Sequence, residues 1–388
     1  MSEFLLKDIT DLIVDCPHST ANDEGKGYPL VRTPNIGKGR LVYNGMHRVS
    51  EEVYNKRNQR AVPQEDDLIF AREATAGNVA LIQKDEKVCL GQRTVLIRPN
   101  KTMVDPAYLT YLLLAPKQQY NLLGTANGAT VAHVNMPTIR NLKIELPELK
   151  VQRRIGSILS RYDSLIENYQ KQIKLLEEAA QRLYKEWFVE LRFPGYENTK
   201  IVDGVPEGWE KKRLIDLVDV QYGFAFDGKL FNSVGEGTPI LRIRNIPDGI
   251  TSDYTTEEAS PNYIVHDGDI VVGMDGIFHI NSWNGGDAYL VQRACSFRPK
   301  EERTKGFIFQ AIQRPIKYFE QILVGATVAH LGKKHIDSIE LIVPENKDLY
   351  IPFQKGFKQR KSLLSQIRLL TEARDRLLPR LMGGEIEV

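Results

Sequence analysis

The sequence predicts a mixed α/β protein: two similar globular modules separated by two long antiparallel coiled-coil helices, arranged as a pseudo-twofold internal repeat. Three observations carry this reading. GATVAH stands at Gly128–His133 and again at Gly325–His330, 197 positions apart. Short β-branched runs alternate with helical runs in the same order in both halves. Each half then gives way to a helical stretch with apolar residues spaced by three and four.

Internal repeats decide an architecture before anything local does. PLVRTPNIGKG (Pro29–Gly39) and PILRIRNIPDG (Pro239–Gly249) share Pro-x-x-Arg-x-x-Asn-Ile at an offset of 210. In EDDLIFAR and DGDIVVGMDG, Asp67 matches Asp269 at an offset of 202, and GQRTVLIRP matches VQRACSFRP at 200. GATVAH and the closing prolines, Pro147 and Pro344, follow at 197. A kept order with a shrinking offset is what loop deletions do to two copies of one fold. The islands agree while the intervening residues differ, so the scaffold repeats and the loop content does not.

Within each copy the islands LVRTPNI, DLIF, VALI and RTVLIRP, then ILRIRNI, DIVVGM and ACSFRP, read as strands bounded by Gly, Pro or Asp. Pro106–Leu123 and Gly306–Leu323 read as helical, and Asn135 is placed to cap a short helix opened by Met136-Pro137, with Gly332 in the equivalent place. The first module spans 1–149 and the second 193–347, including a linker over 193–208. The first long helix occupies 150–192, and the second, with a C-terminal tail, 348–388.

In the first long helix Ile155, Leu159, Tyr162, Ile166, Tyr169, Ile173, Leu176, Ala180, Leu183 and Trp187 form an unbroken seam, stopped by Pro194-Gly195. It predicts a rod about 50 Å long. In the second, Phe353, Phe357, Leu363, Leu364, Ile367, Leu370, Leu377 and Leu381 form a broader stripe opened by Pro352, and Pro379 is expected to end or bend it. The plainer reading of either helix is apolar glue between domains. The symmetry of the repeat favours a spacer.

With 388 residues, 42% hydrophobic and 26% charged, the composition is that of a folded soluble protein. The opening MSEFLLKDITDLIVDC has no basic leader before an apolar core, and neither a signal peptide nor a membrane span is expected. Cys16, Cys89 and Cys295 are scattered and odd in number, which fits a reducing, cytoplasmic setting. A net charge of +2 argues against an indiscriminate nucleic-acid coater and leaves a sequence-specific binder open.

DCPHSTA (Asp15–Ala21), VRTPNI, GQRTVLIRP, NGATVAHVNMPTIRNL (Asn127–Leu142), PEGWEKKRLIDL (Pro206–Leu217) and LLPRLMGGEIEV (Leu377–Val388) together resemble the specificity (HsdS) subunit of type I restriction–modification enzymes, over nearly the whole chain. The resemblance implies two target recognition domains, each binding one half of a bipartite site in double-stranded DNA. It implies helices that set the unread gap and dock two methyltransferase subunits, with restriction–translocase subunits joining them. S-adenosylmethionine, ATP and Mg are then expected in those partners, and no cofactor or metal in this chain. PEGW opens the second copy and is missing from the first, which begins at FLLKDI.

No NPPY-like or DPPY-like tetrapeptide, glycine-rich cofactor loop or GxxxxGK[ST] loop is present, and GATVAHLGKK has the wrong spacing. ELK (Glu148–Lys150) and ENK (Glu345–Lys347) lack the paired upstream acid of a nuclease site and read as residues leading into a helix. The seven histidines show no metal spacing. The chain therefore reads as a non-enzyme. The alternatives are a scaffold or DNA-binding adaptor outside restriction–modification, or the recognition fragment of a single-chain restriction–methylation enzyme.

Base readout needs Arg, Lys, Asn or Gln on base edges and more Lys and Arg on phosphates. In the first module the candidates are Arg32, Asn35, Lys38, Arg40, Arg72, Thr75 and Asn78. In the second they are Arg242, Arg244, Asn245, Asp275, His279, Asn281, Trp283 and Asn284. Arg32/Arg242 and Asn35/Asn245 recur, which favours a role in the fold or on phosphate. Gln92-Arg93 and Gln292-Arg293 recur too and are expected to be buried against a strand; the GATVAH histidines are expected to bond within a Gly turn. The second helix carries Lys355, Lys358, Arg360, Lys361, Arg368, Arg374, Arg376 and Arg380, by default a solvated face and otherwise a surface for DNA backbone or an acidic partner.

Overall fold

The protein is described by a computed structural model over residues 2–124, 133–323 and 329–388, so of the two GATVAH segments only His133, Ala329 and His330 are seen. It falls into two compact units, one of Met1–Glu167 with Leu369–Val388, the other Asn168–Arg368. Both long helices run through this division, so each unit holds one module and a stretch of each helix.

In the first unit an antiparallel sheet sets Thr10–Asp15, Thr94–Pro99, Leu68–Ala71 and Val79–Leu81 side by side in that order. Alternation sends Leu68, Phe70, Val95 and Ile97 to one face, against Tyr108, Leu109 and Leu112 of the helix Pro106–Leu114. Ile69, Ala71, Ala80 and Leu96 go to the other, against Val31, Ile36 and Leu41. Both faces are covered, which is why DLIF reads as a continuous apolar run.

The second unit repeats this. Val218–Tyr222, Ala294–Pro299, Ile270–Gly273 and Ile280–Ser282 lie in the same order. Ile270, Val272, Cys295 and Phe297 face the helix Lys305–Ala311, while Val271 and Ala294 face Leu241, Ile246 and Trp283. A short parallel pairing recurs too, Leu30 with Cys89 and Ile240 with Tyr289.

The PEGW element of the second copy leads into a strand that has a counterpart in the first. Trp209–Arg213 pairs with the closing strand Glu340–Pro344, and in the first unit Ser2–Leu5 pairs with Lys143–Leu146 in the same way. Trp209 additionally lies against Phe188 and Phe193, with ring centroids 5.2 and 4.6 Å apart.

Two local expectations need correction. Pro106–Leu123 is two helices, Pro106–Leu114 and Pro116–Leu123, because Pro116 cannot continue the first. The second copy likewise divides at Ile312 into Lys305–Ala311 and Gln313–Ile322. The second long helix runs from Ile351 to Met382, past Pro379, and ends immediately before Gly383-Gly384 as expected. Pro379 lies one turn from the end, where a missing N–H disturbs little of the remaining ladder. The first long helix, Leu149–Tyr184, passes into a π turn at Lys185–Val189 before Gly195 turns the chain at positive φ. Asn135 caps as expected, accepting the Thr138 N–H. The short helix Lys333–Asp337 begins after Gly332, the equivalent place.

The seam is covered in each unit. Ile155, Leu159, Ile166, Ile173 and Phe357 are buried. Tyr162, Tyr169, Leu176, Leu183, Trp187, Leu364, Ile367, Leu370 and Leu377 are half-buried. In the first unit Ile155 and Leu159 share a core with Leu377 and Leu381. In the second, Tyr184, Trp187 and Phe188 pack edge-on against Phe353. Burial pushes up the pKa of all three cysteine thiols, Cys89 to about 11 and Cys295 to about 12, so they stay protonated and inert.

Candidate nucleic-acid interface

At one end of each main sheet the same three-part cluster recurs. In the first module His133 Nδ1 lies 2.7 Å from Glu73 Oε1, and Arg93 Nη1 lies 2.7 Å from Glu73 Oε2. In the second, His330 Nδ1 lies 2.5 Å from Asp275 Oδ1, and Arg293 Nε lies 3.3 Å from Asp275 Oδ2. The backbone beneath is also shared: Arg72 and Met274 donate to the carbonyls of Arg93 and Arg293, while Val134 and Leu331 donate to those of Arg72 and Met274. Both arginines adopt left-handed backbone, φ 63° and 71°, a conformation that costs a non-glycine residue about 1 kcal/mol. A strained residue kept twice at the same point of one scaffold marks a place where side-chain direction matters.

These arginines are not buried, contrary to expectation. Their side chains are 62% and 68% exposed, because the left-handed turn lifts them off the strand. The histidine rings bond to a carboxylate that follows the central strand, and the glycines of both GATVAH segments lie outside the described residues. In the first module Arg72 adds a constraint: it donates to Val134 O and Asp15, and its Nη2 lies 3.1 Å from His133 Nε2. Guanidinium only donates, so His133 Nε2 accepts and its proton sits on Nδ1, toward Glu73. Met274 occupies the Arg72 position in the second module and offers no such donor.

The structure divides the other candidates. Asn35 and Asn245 accept the backbone N–H of Arg32 and Arg242, so the repeated Arg-x-x-Asn is a turn clasp. Arg32 donates to Gly45 O, and Arg242 lies over the Phe231 ring. Thr75 and Asn78 bond to the carbonyls of Thr33 and Ile36, tying two loops together. Arg40 is held near Glu167, and Arg244 makes a bidentate pair with Asp253. Lys38 is exposed and His279 half-buried. Trp283 is fully buried, its Nε1 bonded to Gly286 O, and Asn284 is buried too. Asn281 donates to Ile246 O and accepts from Arg360. Much of GIFHINSWNGG is therefore edge strand and core; its accessible part is the tip at Gly276–His279, where Ile277 is exposed.

Nor is the basic face of the second helix simply solvated. Arg360 reaches Glu177, Ser282 and Asn281; Arg368 reaches Asp267 and Asn284 O; Arg374 reaches Asp163 and Lys38 O. Among the described residues no group of His, Cys, Asp and Glu is placed to hold a metal ion, and no helix is long and apolar enough to cross a membrane. Glu73, Arg93, Arg293, His133 and His330 escaped the sequence-based choice of site residues. Their signal was present: an acid, an Arg and a His repeating at offsets of 202, 200 and 197.

Two copies of one α/β scaffold, each presenting the same cluster beside loops of unlike sequence, define a two-module recognition protein with two long helices. The sequence matches the family described as type I restriction modification DNA specificity domain over residues 1–178 and 206–359, and the chain belongs to that family. It is similar to the MjaIX specificity subunit of Methanocaldococcus jannaschii, 25% identical over 406 residues covering 99% of this chain and 93% of that protein. It is also similar to the HindI specificity subunit of Haemophilus influenzae, 23% identical over 404 residues, 84% of this chain and 88% of that one. In fold it resembles the crystal structure of the type I restriction–modification S subunit from M. genitalium, with TM-score 0.55, 16% identity, and coverage of 98% of this chain and 95% of that chain.

Proposed function

We propose that each module binds one half of a bipartite site in double-stranded DNA, and that the two long helices act as the fixed spacer for the unread gap and dock two methyltransferase subunits. The chain itself recognises and does not catalyse. Adenine methylation with S-adenosylmethionine, and ATP- and Mg-dependent translocation and cleavage, belong on this reading to the methyltransferase and restriction subunits, in the cytoplasm. The observation that carries it is the twice-built cluster of Arg, carboxylate and His beside loops that differ between modules. Its exposed arginine suits a phosphate, a contact that positions without reading sequence. The unlike loop tips, with Lys38 in one module and Gly276–His279 in the other, suit base edges.

The test is the salt dependence of duplex binding by the chain assembled with its methyltransferase subunits. Affinity falls steeply with salt, and Arg93→Ala and Arg293→Ala each reduce the slope of log K against log salt by about 1. Salt-independent binding, or none, overturns the proposal.

A further inference from the structure

Charge is sorted between the two long helices by direction. On the first helix, every charged residue that is buried or half-buried is an acid: Asp163, Glu167, Glu177 and Glu178. On the second, every such residue is a base: Arg360, Lys361, Arg368 and Arg374. Outward positions do not follow this rule: on the first helix they are basic, among them Lys150, Arg153, Arg161 and Lys171, and on the second they carry both signs, with Glu372 and Asp375 beside Lys355 and Arg376. Both helices therefore carry more bases than acids overall, and the contrast of sign is confined to their inward faces.

The sorted charges meet. In one unit Arg374 Nη1 is 2.6 Å from Asp163 Oδ1, and in the other Arg360 Nε is 2.6 Å from Glu177 Oε1. Fourteen residues forward on the first helix, from 163 to 177, take the partner fourteen residues back on the second, from 374 to 360. That is one antiparallel register, two heptads between ion pairs. Asp163 and Arg360 are 3% and 8% exposed, so leaving either without a partner is costly.

We infer that this sorting is a pairing code: it matches a first helix to a second helix and rejects a first helix offered by another copy of the chain. The repeat makes such a rejection necessary, because two heptad helices following copies of one module are otherwise apolar seams able to pair with their own kind. A first helix facing another first helix would bury Asp163 and Glu177 with no base on either inward face. Two second helices would bury Arg360 and Arg374 with no acid. Buried polar groups that fix partner and register are the best-attested use of such pairs. The inference does not depend on what the modules bind.

Three full-length variants test it. Glu177→Arg and Arg360→Glu each place like charges face to face and lower the melting temperature by about 5 °C; the double variant E177R/R360E restores most of that loss as a monomer. Refolded together, the two single variants have their complementary helices on different chains, and differently tagged copies are recovered as a mixed dimer. Wild-type copies treated identically give no mixed species. A double variant no more stable than the singles, or a mixed fraction equal to that of wild type, overturns the code.

Discussion

Replacing Asp163 with alanine will destabilise the first unit by about 3–5 kcal/mol, the cost of breaking a buried charge pair by removing one partner. Asp163 is 3% exposed; it accepts the Tyr111 hydroxyl at 2.5 Å and Arg374 at 2.6 Å. Burial by itself would lower the Arg374 pKa, but Asp163, with help from Asp375, outweighs it and holds the guanidinium above its usual value. The aspartate attracts more than burial repels. Alanine would leave a nearly buried cation and a buried hydroxyl unpaired at once. Asp163→Asn keeps one acceptor and should lose roughly half as much. Gly39 reports on the same crowding: a Cβ there would lie 2.4 Å from Asp163 Oδ2, and its φ is +100°. Denaturant unfolding followed through the first unit measures the loss, and a change below about 1 kcal/mol would count against this role.

Exchanging Gly276–His279 for the tip of another specificity subunit will alter one half of the recognised sequence and leave the other half intact. A longer exchange, through Gly286, will instead disrupt the fold. It removes Trp283, fully buried against Leu241, Ile246 and Val271, along with Asn281 and Asn284, which bind Arg360 and Ser365. Trp283→Ala alone should cost about 3–5 kcal/mol. Methylation mapping after the short exchange reads the first outcome. Change in both halves would contradict a modular reading, and unchanged methylation would move base contact away from this tip.

The architecture was open to reading because it rests on repetition and period, which are linear properties. Equal islands at drifting offsets marked the inner strands Leu68–Ala71 and Thr94–Pro99 and their counterparts, though not the edge strands Thr10–Asp15 and Val218–Tyr222, and the apolar spacing marked both long helices. What escaped is what depends on neighbours brought together from afar. No local signal says that Arg93 and Arg293 sit in left-handed turns, since nothing in Gly-Gln-Arg or Val-Gln-Arg demands it. Trp283 looked like a reader because it stands among Asn and Gly in an unrepeated segment, yet the edge strand beside it turns the ring inward. The basic residues of the second helix read by default as a solvated face, because the acids that take up Arg360, Arg368 and Arg374 lie 183, 101 and 211 residues away in sequence.

Two like scaffolds engaging separate stretches of duplex is the idea on which the rest depends. Mapping adenine methylation across the genome of a cell carrying this chain with its methyltransferase subunits tests it most directly. The account predicts one motif of two short defined sequences separated by unspecified bases of constant number. A single uninterrupted motif, or a gap that varies from site to site, would contradict it.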